Sequence, residues 1–342
     1  MNKKYLLLII LLLSLSTTAM ATATNAIVAT IKPLHSLVQG VLGDTGEAYM
    51  LVTDSVSPHD FQLKPSQLKH MQQAHIIFYI DDSIESFLPS AFEVLPDNVR
   101  TISVAQKSGI TLLPYRKDAA PDMHHDESHH DEDHHDESHH DEDHHDEGHH
   151  DEDHHDEDPH EHTGHHHHHH SSPYDMHVWL DPANASKIVA LIADELSAAY
   201  PDQQAIYRTN AQNMTNKINN LDAELDTYLQ PIRNKPFITF HDAYQYFEQA
   251  YGLSYAGSIT IDPTLAPSPN RIRAIQQRLR EAGAICIFKE PQFSDRLIAT
   301  VSEGFDIKVG ELDPLGVGVP AGEDAYFKLL DNLARNLREC LE

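Results

Sequence analysis

The sequence predicts an α/β protein of two (β/α) lobes, each with a mostly parallel sheet, joined by one long rigid helix. Three observations carry that prediction. Short apolar runs alternate with segments of helical period early in the chain, a second such series occupies its last third, and one uninterrupted helical period lies between them.

The chain has 342 residues, enough for two domains of ordinary size. It opens MNKKYLLLIILLLSLSTTAMA: two lysines, an apolar run from Tyr5 to Leu15, then Ala19-Met20-Ala21, which fits a signal-peptidase site. A membrane anchor needs about 18 apolar residues, and this run is shorter. Residues 1–21 are therefore expected to be a signal peptide, and the mature chain a soluble periplasmic protein. No cysteine near the cleavage site offers a point for lipid attachment.

The N-terminal lobe is expected to span 27–200. IVATI (27–31) predicts a strand, KPLHSLVQGVLG a helix ending at Gly43, AYMLV (48–52) a strand, PSQLKHMQQA a helix and IIFYI (76–80) a third strand. From 122 to 172 the chain repeats HHDE followed by Ser, Asp or Gly, a five-residue period that matches neither helix nor strand. With nothing apolar to bury after Met123, this stretch is predicted to be a disordered loop inserted into the lobe.

The linker helix is expected at 201–230. Between Pro201 and Pro231, Met214, Ile218, Leu221 and Leu225 recur at spacings of four, three and four. That is about 28 residues, about 40 Å of helix. The C-terminal lobe (231–342) repeats the first pattern with strands FITF (237–240), AICIF (284–288) and IKVGEL (307–312), and helices starting near Asp242, Ser268, Ser294 and Glu323.

The formal net charge is -29, yet the run from Asp122 to His170 holds 20 acidic residues and no Lys or Arg, leaving about -9 elsewhere. With no basic stripe and no aromatic platform, nucleic acid is excluded as a partner. Cys286 and Cys340 are the two cysteines. In an exported chain they are expected to form a disulfide. Their alternative use, as a pair of thiolate metal ligands, lacks the close CxxC spacing of such sites.

Of 28 histidines, 22 fall between His124 and His170. Imidazole and carboxylate at this density bind late divalent metals through many interchangeable sites, so His124, His125, His129, His130, His134, His135, His165, His166, His167, His168, His169 and His170 are candidate accessory ligands. Two plainer readings are a solvated loop that tunes solubility and, for the last six, a purification tag. The remaining histidines divide by context. His59 (VSPHDFQLKPSQL) lies in a loop after the second strand, His177 (YDMHVWLDPAN) where the fold resumes after the insertion, and His241 (FITFHDAYQYF) at the end of a strand. Ligands of open α/β sheets bind beyond the carboxyl ends of strands, where these three are placed. His35, His70 and His75 fall on or beside helices and read as structural. Asp313, in GELDPLGVGVP after the last strand, is the candidate fourth ligand, with water or Glu311 as alternatives; either carboxylate would otherwise cap a turn. Three imidazoles with at most one carboxylate suit zinc better than manganese.

At these residues the chain resembles the metal-specific solute-binding proteins of ABC importers, most closely their zinc-binding periplasmic members. SPHDFQLKPSQLK, the acidic His-rich insertion, MHVWLDP, FHDAYQYF, ICIFKEPQF and GELDPLG occur in order over essentially the whole mature chain. The resemblance implies metal held in a cleft between the lobes by the residues matching His59, His177 and His241, a disulfide between Cys286 and Cys340, and zinc as cargo for a membrane permease. Some zinc-binding members have a glutamate before the first histidine; Pro58 stands here. Asp313 matches an aspartate ligand of manganese-binding relatives, which carry a carboxylate at the position of His241.

Two other functions compete with binding and delivery. An exported zinc hydrolase needs a general base beside metal-bound water, but no HExxH occurs, and Asp60 and Asp242 read as orienting the histidines before them or capping helices. A storage or chaperone protein would act through the tract alone. The chain is expected to be a monomer and no enzyme.

Overall fold

The computed structural model describes residues 27–53, 56–107, 109–116 and 172–342. The expected signal peptide, and the histidine run from His124 to His170 with its candidate accessory ligands, lie outside them.

The first sheet holds β1 (Ile27–Ala29), β2 (Tyr49–Met50), β3 (Ile76–Tyr79) and β4 (Arg100–Ser103) in the order β2-β1-β3-β4, all parallel. Helix α1 (Lys32–Leu42) follows β1 and buries Leu34, Leu37, Val38, Val41 and Leu42, the repeating stripe of an amphipathic helix. It ends at Gly43, whose φ of 53° strains any residue with a Cβ. Helices α2 (Pro65–Gln72) and α3 (Leu88–Phe92) cover the sheet's other face, over Val28, Leu51 and Ile77.

A two-residue antiparallel pair comes next: β5 (Leu113–Pro114) against β6 (Tyr174–Asp175). Then α4 (Pro182–Ala199), capped by the Asp181 carboxylate, leads into α5 (Gln204–Leu229). This last is the long helix read from the sequence, 26 residues flanked by 3-10 turns at Pro201–Gln203 and Gln230–Ile232. The second sheet holds β7 (Phe237–His241), β8 (Tyr255–Thr260), β9 (Cys286–Lys289) and β10 (Lys308–Glu311) in the order β10-β9-β7-β8, again parallel. Around it lie α6 (Gln245–Tyr251), α7 (Pro269–Ala282), α8 (Arg296–Ser302) and α9 (Ala325–Leu341). Cys286 of β9 is disulfide-bonded to Cys340 of α9, with Cα atoms 6.1 Å apart. The pair is oxidised, which removes it as a source of thiolate ligands.

The two lobes share their interior. One continuous apolar cluster takes in Ile27, Leu37 and Val189 from the first lobe, Met214 and Leu225 from α5, and Phe237, Phe288 and Leu333 from the second. Buried polar contacts cross the same boundary. Lys32 Nζ donates to the carbonyls of Gly316 (2.9 Å) and Val319 (3.1 Å), and Trp179 Nε1 to that of Pro314 (2.8 Å). Ser36 Oγ donates to the Glu323 carbonyl and accepts from Tyr326 N, both at 2.9 Å.

Candidate metal centre

Each of the three loop and strand-end histidines is delivered by a different local device. After β2 the chain makes a 3-10 turn, Pro58–Asp60, opened by Ser57, whose hydroxyl accepts from His59 N at 3.3 Å. His177 leaves β6 through a tight turn in which Asp175 Oδ1 accepts both its backbone N–H (2.9 Å) and its ring Nδ1–H (2.7 Å). His241 is the last residue of β7, and its Nδ1 donates to Glu290 Oε1 at 2.6 Å from the end of neighbouring β9. Carboxylates only accept, so both rings carry their proton on Nδ1 and turn the Nε2 lone pair the other way.

Those lone pairs converge. One ligand atom from each of His59, His177 and His241 lies within 4.8 Å of the others. His177 Nε2 and His241 Nε2 are 3.3 Å apart, and His59 Nε2 is buried with no hydrogen-bond partner among the described residues. Lone pairs facing one another at this range repel unless a cation sits between them. The space they enclose is about 10 Å3, walled by Pro58, Trp179, Phe293, Pro314 and Leu315. That is room for a bare ion and at most one bound water, against the several hundred Å3 of an organic-ligand site. A larger groove of about 940 Å3 lies along α5, lined by Asn210, Asn213, Asn216 and Lys217, but it gathers no ligand set among the described residues.

The electrostatics suit a cation. Burial, followed by the neighbouring rings of His177 and His241, holds the His59 imidazole well below its ordinary 6.5. Burial also acts to lower His241, but the charge and hydrogen bond of Glu290 outweigh it and the ring is raised above 6.5. Three imidazoles aimed at one point, two of them backed by carboxylates, form in their neutral state the donor set of a late divalent ion such as zinc.

The other sequence candidates lie elsewhere. Asp313 is outside the converging set: its Oδ1 accepts from Leu315 N (3.0 Å) and Gln292 Nε2 (2.8 Å), and its Oδ2 from Val317 N, so it caps the turn after β10. Glu311 is half exposed and 3.8 Å from Lys289 Nζ. Asp242 does not orient His241; it pairs at 2.6 Å with Arg116, which also pairs with Glu248 and lies 3.7 Å over the Tyr255 ring. His35 bonds the Ala48 carbonyl (3.0 Å), His70 stacks on Tyr49 (4.0 Å) and His75 meets the Tyr200 hydroxyl (3.3 Å).

Sequence reasoning missed the two carboxylates that orient ligand candidates. Asp175 had a local signal, an acid two residues before a candidate histidine in YDMH. Glu290 lies 49 residues from His241, and only the adjacency of β7 and β9 brings them together.

Comparison with known proteins agrees with this architecture. The family model described as "ZnuA: Zinc-uptake complex component A periplasmic" matches residues 27–340. A relative from Brucella abortus, named high-affinity zinc uptake system protein ZnuA, is 42% identical over 323 residues, 94% of this chain and 93% of its own. A protein of the same name from Haemophilus ducreyi is 35% identical over 330 residues, 96% of this chain and 97% of its own. The crystal structure of the AdcAII protein of Streptococcus pneumoniae shares the fold, with a TM-score of 0.68 at 22% identity over 92% of this chain and 98% of that one. On the extent of these matches, the chain belongs to the ZnuA family of periplasmic zinc-uptake components.

Proposed function

We infer that this chain captures Zn2+ with high affinity in the periplasm and delivers it to an ABC-type membrane permease, the ion being held by His59, His177 and His241. The observation that carries the reading is the convergence of three imidazoles, those of His177 and His241 buried, within 4.8 Å, on a space of about 10 Å3. Relatives named for zinc uptake at up to 42% identity support the cargo and the setting. No helix of the described residues is long and apolar enough to cross a membrane.

A zinc hydrolase is the weaker reading, because so small an enclosure leaves no room for an ester or peptide beside the ion. The storage reading rests on the histidine run, which contributes additional weak sites in our proposal.

The test is calorimetric zinc titration of the mature chain, of the chain lacking 124–170, and of each with His59, His177 and His241 changed to alanine. One tight site is expected to survive the deletion and to vanish with the three histidines. Loss of the tight site on deletion would make the histidine run the binding element and overturn the reading.

A further inference from the structure

Asp313 already has three donors: the amides of Leu315 and Val317 and the side chain of Gln292. Because a carboxylate only accepts, the Gln292 amide must present its NH2 group to Asp313. Its Oε1 is thereby turned away from that carboxylate, and this oxygen is buried with no hydrogen-bond donor among the described residues. Gln292 lines the cavity of the three histidines. Besides His59 Nε2, the other buried atom without a hydrogen-bond partner among the lining residues is Glu290 Oε2. Glu290 is committed through Oε1 to His241 and has the Tyr244 hydroxyl beside it. Three imidazole nitrogens, meanwhile, leave one position open in a tetrahedral zinc sphere.

We propose that Gln292 governs the fourth zinc position, its Oε1 accepting a hydrogen bond from the water that completes the sphere, and that Asp313 is a positioning residue acting on the ion only through Gln292. The inference rests on the zinc reading above. It gives the ion four neutral donors, with the compensating charge held behind the rings on Asp175 and Glu290. Such a set favours zinc over manganese, which prefers anionic oxygen ligands.

The test is a double-mutant cycle on the whole chain, Gln292→Leu and Asp313→Asn singly and together, read as zinc affinity by chelator competition. The variant with His59, His177 and His241 changed to alanine supplies the background from the histidine run. Each single change is expected to weaken zinc binding about tenfold. The double variant is expected to be no weaker than either, since asparagine lets the Gln292 amide turn over and so disables the same group. The visible absorption of the Co2+-loaded protein should shift in both single variants, which a purely structural role would not cause. Should Gln292→Leu fail to fold, as judged by circular dichroism of the apo chain, Gln292→Met of similar volume replaces it.

Wild-type affinity and an unchanged cobalt spectrum in the Gln292 variant would overturn the proposal and leave the zinc reading standing. So would an Asp313→Asn cost that is equal with and without Gln292, because Asp313 would then act on the ion directly. A wild-type chain that binds zinc no better than the variant lacking His59, His177 and His241 would sink both.

Discussion

Glu290 and Asp175 each hold the Nδ1 proton of a candidate ligand, at 2.6 and 2.7 Å, and so decide which ring nitrogen faces the point where the three rings converge. Replacing Glu290 by glutamine keeps an acceptor but removes the charge, and zinc affinity measured by chelator competition should fall about tenfold. The same pair sets the pH response. Zinc needs the neutral ring, and His241 is the imidazole whose proton is held above 6.5, so proton competition should begin above that pH and deepen as pH falls. Affinity measured against pH should show this onset moving downward in the Glu290→Gln chain. A second buried acid affects stability instead. Glu85 is fully buried, and burial lifts its carboxyl from 4.5 to about 8 even though the amides of Ile80 and Asp81 donate to it. Between those values the folded state keeps a proton that the unfolded state has lost. Its contribution is therefore complete below 4.5 and disappears as pH rises through about 8. Denaturant unfolding of Glu85→Gln at several pH values should show a flatter dependence across this window.

At the scale of elements, β5 and β6 tie the candidate centre to the second lobe. The Tyr246 hydroxyl of α6 accepts from Leu113 N at 2.9 Å and donates to the Asp175 carbonyl at 2.7 Å. Tyr246→Phe strands both backbone groups and should destabilise the fold by about 1–3 kcal/mol in chemical unfolding. Because Asp175 also orients His177, zinc affinity should weaken with it. Neither of these two-residue strands was legible in the sequence, since strands so short have no period and Pro114 sits inside one of them. β4 was equally hidden, as Arg100 and Thr101 are exposed and break the apolar run. β8 was missed because Gly257 and Ser258 occupy its interior. The strands that were legible are β1, β2, β3, β7, β9 and β10, which lie within or beside the continuous apolar segments. His241 was legible for the same reason, being a polar residue that ends an apolar run at the carboxyl end of a strand, whereas His59 and His177 were read from the loops in which they stand. Their orienting carboxylates were not, because strand order within a sheet is a tertiary fact. The disulfide joins two further elements across 54 residues, and Cys340→Ser should cost about 2–5 kcal/mol of stability.

For the molecule as a whole, the shared interior governs movement. Separating the lobes widely would expose Met214, Leu225 and Phe237 together and break the buried bonds of Lys32 and Trp179 to the opposite lobe. Zinc binding should therefore produce only a small closure, and small-angle scattering with and without zinc should give the same radius of gyration within error. A large contraction would contradict a stiff frame. The walled space around the three imidazoles has a kinetic corollary. A chelator reaches an ion held there only past Pro58, Phe293 and Leu315, which crowd the small space on several sides. A compact chelator should therefore strip zinc faster in stopped-flow release than a bulky one of equal affinity, which those side chains keep at a distance.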